Sequence, residues 1–402
     1  MGLRKEPLSP WWSVPLRFAA VLVMGGYTYS AYRVRSWGRL PRKRGATVVI
    51  SNHQHDLDTM GVIPALQLKT PMRDPLYAAT AKLMHEPGFM AIRARWVAPF
   101  FRRVNFAPIF TAIGMVPLEN ELSSKSIARI AWSVQRRHGP MPLSQIFKPQ
   151  VVERFGHGDL RTDRLATAGV FEAAYGTYAK LTEIEQPYRD EIVAETRAGV
   201  EEDLERIESI VKRGGSFYVT PEGNYSRDGK MLPFRGSYPR ASVHADVYVA
   251  AISYDPFNAK RMSQLHRIVK IADKERVVAE VKVARPVTVS QLLGRWLRDR
   301  REPFTETELT AAIEALLHEL PPRLFVDPEL RAHPDRVVKS ALSTMSRLRI
   351  LTRVGGTYTV GPLRTHPIFA HVDDMIAFQA NMLEETLEAA RELTDSPGPV
   401  PA

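Results

Sequence analysis

The stretch "VVISNHQHDLDTMGVIP" (residues 48–64) carries His53, His55, Asp56 and Asp58 within six positions. Two chemistries suit such a cluster. Histidines one residue apart can share a metal ion with a nearby carboxylate, which makes His53, His55 and Asp58 candidate ligands of a metal-dependent hydrolase. Alternatively, a carboxylate bonded to one imidazole nitrogen fixes the tautomer and leaves the other nitrogen as a general base near neutral pH. His53 and Asp58 are five residues apart, which on one continuous helix would turn them to different faces. They meet only if His53 stands on a strand-to-helix turn and Asp58 in the first helical turn. "VVISNH" followed by "DLDTMG" provides that junction, so geometry favours the base, with His55 and Asp56 as bystanders.

The metal alternative has less behind it. Dinuclear hydrolases of the metallo-β-lactamase kind place Asp directly before His at the end of such a run, where this chain has Leu57 and Asp58. The remaining histidines are scattered. With no cysteine in 402 residues, disulfides, thiolate metal sites and a cysteine nucleophile are excluded.

A second block, "GGSFYVTPEGNYSRDGKMLPFRG" (214–236), reads in isolation as a strand and a hairpin turning at Asp228-Gly229. Taken in order, the two blocks resemble the glycerolipid acyltransferase family, the glycerol-3-phosphate and lysophosphatidate acyltransferases. The family's first signature, Asn-His, any four residues and Asp, matches Asn52, His53 and Asp58. Its third, Pro-Glu-Gly and a Ser-Arg-rich run, matches Pro221, Glu222, Gly223, Ser226 and Arg227, with Gly229 and Lys230 following in kind. Ala81-Lys82, the run "GMVP" from Gly114 to Pro117, "ISYDP" and "VARPV" are further echoes, and the likeness covers roughly residues 40 to 290.

The resemblance implies an O-acyltransferase that needs no metal or other cofactor. His53 would deprotonate an acceptor hydroxyl that attacks the thioester of an acyl-CoA or acyl-carrier protein, with Asp58 orienting the ring. Backbone amides near Gly223 would hold the oxyanion, and Glu222 would position the acceptor. Asn52, Lys82, Asn120, Pro221, Tyr225 and Ser226 would contribute to substrate binding, while Arg227, Lys230 and more weakly Arg235 offer charge to a phosphate. Two positions depart from the family: Asn120 and Tyr225 stand where arginines associated with the acceptor's phosphate are usual. The acceptor is therefore expected to be a glycerolipid or related phospholipid precursor whose identity the resemblance does not fix.

These residues need a frame. "TVVIS", "PLYAATAKLM", "FTAIGMVPLEN", "SFYVT", "DVYVAAISY" and "RVVAEVKVARPVTV" read as strands or strand starts. "DTMGVIPALQL", "LSSKSIARIAWSVQRR" and "EIVAETRAGVEEDLERIESIVKRGG" read as helices. The alternation predicts an α/β fold, a mixed and largely parallel sheet flanked by helices, for an acyltransferase domain over residues 45–300 with an aperiodic insertion at about 139–190. Residues 301–394 carry two helices, a hairpin turning at Gly355-Gly356 and an acidic amphipathic helix. That winged-helix-like extension is read as a cap on the catalytic domain in preference to a DNA-binding element. Residues 395–402 read as a disordered tail.

Residues 1–44 are expected to anchor the chain. "WWSVPLRFAAVLVMGGYTYSAY" (11–32) is apolar and aromatic, reaches about 30 Å as a helix, and is bent by Pro15. A basic collar follows, with Arg33, Arg35, Arg39, Arg42, Lys43 and Arg44 and no acid, which suits an anionic membrane surface. A monotopic or dipping anchor, or a single N-terminal one, on the cytoplasmic face of the cell membrane is preferred to a cleaved signal peptide, because the charges lie on the wrong side for one. The formal charge of +11 also permits a non-catalytic basic binding module, but that reading leaves the His53/Asp58/Glu222 set unexplained, and no nucleic acid partner is expected.

Overall fold

The computed structural model describes residues 12–40, 45–55, 57–68, 76–85, 105–119, 122–167, 169–258, 261–271 and 273–395. It forms two compact units, one of Met1–Tyr77 with Ile210–Ala402, the other of Ala78–Ser209. The described strands are β1 (Arg33–Trp37), β2 (Thr47–Ile50), β3 (Leu76–Ala81), β4 (Met115–Leu118), β5 (Ser124–Ser126), β6 (Tyr178–Lys180), β7 (Ser216–Val219), β8 (Asp246–Asp255), β9 (Ser263–Lys270), β10 (Leu351–Val354) and β11 (Thr357–Val360). The fold is mixed α/β with a largely parallel central sheet flanked by helices.

In the first unit the strands run β1-β9-β8-β2-β7, with β3 beside β7. β2 is parallel to both neighbours, Ile50 lying opposite Val219 of β7 and Val249 of β8. β1 is parallel to β9, and β8 and β9 are antiparallel. Val48, Val49 and Ile50 are wholly buried, as a strand covered on both faces requires. Because β2 and β7 are parallel and in register, the chain leaves both at the same edge of the sheet, the usual place for a site in such folds.

The segment "VVAEVKVARPVTV", read from its β-branched residues as a strand, is instead two helices, Val277–Ala284 and Val289–Leu297. Strand propensity yields here to packing. Arg285, between them, is buried and donates to Met382 O (3.1 Å), Glu385 Oε2 (3.2 Å) and Thr386 Oγ1 (2.9 Å) of the helix Met375–Asp395. Gly294 admits the same helix closely: a Cβ there would lie 2.7 Å from Ala380 N. A sequence cue for the second helix existed, the capping box in which Thr288 Oγ1 accepts Gln291 N–H and Gln291 Oε1 accepts Thr288 N–H. The β10–β11 hairpin turns at Gly355 and Gly356, both at positive φ.

The helix Ser13–Ala31 packs with an inverted face. Ser13, Arg17, Val21, Gly25 and Thr28 are buried, and Thr28 Oγ1 donates to Met60 O (3.0 Å) on the helix Asp58–Gln67. Phe18, Leu22, Val23, Tyr27 and Tyr29 are exposed. Among the described residues no helix is long and apolar enough to cross a membrane. Part of the expected collar is engaged by protein: Arg35 forks onto Asp327 (2.7 and 2.5 Å), and Arg33 pairs with Glu329 (3.0 Å). Residues 41–44, and the tail beyond residue 395, lie outside the described residues.

In the second unit Ala78–Ala81 of β3 pair in parallel with β4, and β5 pairs antiparallel with β6. The stretch expected to be an aperiodic insertion has a core of its own, in which Leu143, Phe147, Phe155, Leu165 and Phe171 close over Ile130 and Val134 of the helix Ile127–His138. Its apolar residues come from short helical turns, so no period longer than one turn is visible along the chain.

Candidate active site

β2 and β7 deliver the two polar blocks to one edge of the first unit. Past Ile50 the sheet bonding continues: Ser51 N–H donates to Val219 O (3.0 Å). The Asn52 side chain accepts from Ile252 N–H (2.8 Å) and donates to Ile252 O (3.0 Å). Asn52 is fully buried, so it braces the strand end and is not offered to a substrate.

His53 stands on the turn that follows, and the next helix starts at Asp58. His53 Nδ1 lies 2.9 Å from Asp58 Oδ2. The carboxylate is wholly buried, whereas 17% of the His53 side chain remains exposed, enough for a ring edge to meet a substrate. Asp58 Oδ2 also accepts the N–H groups of Gln54 (2.6 Å) and His55 (3.0 Å), and Oδ1 accepts the Tyr254 hydroxyl (2.6 Å), which itself receives Gln264 Nε2 (2.8 Å). Burial pushes the Asp58 carboxyl up, but His53, Tyr254 and the Gln54 amide together outweigh it and hold the group below its ordinary range. An ionised Asp58 accepts the hydrogen bond of Nδ1–H, which keeps that proton on Nδ1 and leaves Nε2 as the basic nitrogen of His53.

His55 is committed elsewhere. Its Nδ1 accepts Leu57 N–H (3.1 Å) and its Nε2 faces Ile368 O (2.9 Å), the arrangement of a neutral ring with the proton on Nε2. A metal shared with His53 would have to displace one of these two bonds, and among the described residues no three His, Cys, Asp or Glu are grouped to hold a metal ion.

Glu222 joins the two blocks. It is buried, and its Oε1 accepts His53 N–H (2.7 Å) while Oε2 accepts Leu232 N–H (2.8 Å). Its carboxylate thus ties the turns after β2 and β7 together. Burial raises the Glu222 pKa to about 7 despite those two donors and the charges of His53 and Arg285. Gly223 needs its glycine, at φ +68 with a Cβ position 2.9 Å from the Arg235 guanidinium carbon. Its amide is not an open oxyanion donor, because it donates to Thr220 O (3.0 Å). Tyr225 N–H meets Asn224 Oδ1 (2.9 Å), and neither Glu222 N–H nor Asn224 N–H has an acceptor among the described residues.

Tyr225 and the C-terminal segment border the exposed side of His53. The Tyr225 ring centroid lies 5.5 Å from His53 and 4.3 Å from His371. Phe369 packs on His55 and on Tyr254. The helix Met375–Asp395 also grips the Pro-Glu-Gly loop: Asn381 Nδ2 donates to Asp228 O (2.8 Å), Glu385 Oε2 accepts Met231 N–H (3.0 Å), and a Cβ at Gly229 would sit 2.2 Å from Phe378 O.

The other sequence candidates divide. Pro221 is buried, and its carbonyl accepts Arg235 N–H (2.8 Å). Ser226 Oγ accepts Gly229 N–H (3.1 Å), a turn contact. Arg227 and Lys230 are exposed on this loop. Lys82 belongs to the second unit, and Asn120 lies outside the described residues. Sequence reasoning did not find Tyr254, Gln264, His371 or Phe369. "ISYDP" was noticed as an echo, but nothing in it marks the tyrosine as a donor to Asp58.

No family model matches this chain, and no curated protein does. Among solved structures it is similar to the crystal structure of the 1-acyl-sn-glycerophosphate (LPA) acyltransferase PlsC from Thermotoga maritima, at 14% identity and a TM-score of 0.30, over 68% of this chain and 80% of that one. A likeness of that size carries no weight for this chain's chemistry.

Proposed function

We propose that this protein is a membrane-associated O-acyltransferase, moving an acyl group from a thioester (acyl-CoA or an acyl-carrier protein) to a hydroxyl of a glycerolipid or related phospholipid precursor. The observation that carries the reading is the 2.9 Å contact between His53 Nδ1 and a fully buried Asp58, at an edge where Glu222 draws the following loop in. In this mechanism His53 Nε2 takes the proton of the acceptor hydroxyl as its oxygen attacks the thioester carbonyl. The tetrahedral intermediate collapses, the C–S bond breaks, and the departing thiolate receives the proton from His53. Asp58 stabilises the imidazolium between the two steps. The Asn224 N–H is the proposed oxyanion donor, replacing the Gly223 amide, and Glu222 serves as a brace for both turns and not as an acceptor ligand. Thiol release from acyl-CoA supplied with mixed lipid alcohols tests the reading: His53→Ala should lose at least ~10³-fold in turnover with an unchanged circular-dichroism melt. Equal rates in the two proteins would end the proposal.

Membrane association is supported by the inverted face of the helix Ser13–Ala31, whose polar and small residues are buried while Phe18, Leu22 and Val23 face outward. Arg39 and residues 42–44 add positive charge for a cytoplasmic, anionic leaflet. Replacing Phe18, Leu22 and Val23 together by serine should abolish co-sedimentation with phosphatidylserine vesicles and leave the melt unchanged. Co-sedimentation that survives the triple replacement would remove this helix from the membrane contact.

A further inference from the structure

The second unit contains a cavity of about 570 Å³ that none of the His53-centre residues lines. One end is cationic. Lys125 Nζ lies 2.8 Å from Glu119 Oε2, and Arg129 forks onto the same carboxylate at 3.0 and 3.3 Å, all three side chains at most 8% exposed. Lys82 lines the cavity as a third cation and makes no hydrogen bond or ion pair among the described residues. Its Nζ lies where Gly199 leaves room, 3.2 Å from where a Cβ would be. Asp203, whose carboxyl feels the Lys82 charge, is turned to the Glu119 N–H (2.7 Å) and to Arg206 (3.5 Å). Arg136 and Glu195, also in the lining, pair with one another (3.7 Å). Among the described residues the lining therefore carries four cations, Lys82, Lys125, Arg129 and Arg136, against two carboxylates, Glu119 and Glu195. The lining also has an apolar part, the buried Phe171 and Ile192 and the Trp132 indole, which packs on Phe171 and Tyr175.

We propose that this cavity binds a small organic anion: a phosphate- or carboxylate-type head held by Lys82, Lys125 and Arg129, and a flat apolar body lying against Trp132 and Phe171. Two cations already share Glu119, so they are pinned in place before any ligand arrives, and an anion entering there needs little reordering of side chains. A guanidinium and two ammonium groups at a partly dry surface bind a doubly charged head more strongly than a singly charged one. An apolar wall of indole and phenyl adds affinity that an inorganic ion cannot use. A phosphomonoester, at roughly −1.5 to −2 near neutral pH, matches the formal surplus of two positive charges.

The test is calorimetric titration of the full chain with four probes: phenyl phosphate, benzoate, inorganic phosphate and phenol. Phenyl phosphate should bind saturably, at least ten-fold more tightly than inorganic phosphate or phenol. Benzoate binding as tightly as phenyl phosphate would assign the head to a carboxylate, and weaker benzoate binding to a phosphomonoester; both support the site. Lys82→Met, which breaks no ion pair, should weaken phenyl phosphate ten-fold or more with no change in melting temperature, and Trp132→Leu should remove the advantage over inorganic phosphate. No saturable binding of either organic anion overturns the proposal, as does binding that both variants leave unchanged. The acyltransferase reading is untouched by either result, since these titrations contain no acyl donor.

Discussion

Asp58 in the first unit and Glu119 in the second are both carboxylates withdrawn from water, and they are held in opposite ways. Asp58 receives two amide N–H groups, a phenol and an imidazole, of which the imidazole alone can carry a charge. Glu119 is gripped by a lysine and an arginine. Burial pushes both carboxyls up, and in both the partners outweigh it and bring them below the ordinary range. The difference is in what the charge is for. A carboxylate between two permanent cations is neutralised at all times, and serves as part of a wall. One surrounded by neutral donors keeps its charge for an imidazole that gains and loses a proton.

That contrast can be broken in three places. The largest expected effect is on turnover: Asp58→Asn should lower acyl transfer about 10³- to 10⁴-fold, because the amide can hold His53 in the wrong tautomer. A variant keeping more than a tenth of the rate would mean that the charge of Asp58 is not used. Next comes Glu119→Gln, expected to cost about 3–5 kcal/mol of unfolding free energy by urea titration, since it leaves buried cations around a neutral amide. A loss under about 1 kcal/mol would show that the pair is solvated in practice. The third concerns Glu222, which lies between the two cases, buried with neutral donors and a raised pKa of about 7. Its folded value exceeds the unfolded one near 4.5, so its stabilising contribution is full below pH 4.5 and lost as pH rises through 7. Measured against Glu222→Gln, the wild type should lose about 3 kcal/mol of relative stability between pH 4.5 and 8. A flat difference across that range would place the folded pKa near its ordinary value.

How much of this was legible in the sequence follows from which interactions are local. β2, the turn at His53 and the helix start at Asp58 lie within a dozen residues, and their pattern of β-branched, polar and helix-opening residues is readable without a fold. β9 was not readable: it carries Gln264 and His266 wholly buried, so apolar alternation is missing. β1 was hidden inside a basic run, because its arginines are spent on Asp327 and Glu329 almost 300 positions away. The aromatic border of His53 had the same obstacle. Tyr225 and His371 come from segments about 150 positions apart, and their contact leaves no local trace in either segment.

The helix Met375–Asp395 lies far along the chain from the corner it steadies. The histidine and its carboxylate leave the ribosome early, soon after the helix with the outward apolar face. The residues that steady the Pro-Glu-Gly loop, Asn381 and Glu385, are translated more than 300 codons later. The Pro-Glu-Gly loop therefore gains these two contacts only after nearly the whole chain has been made.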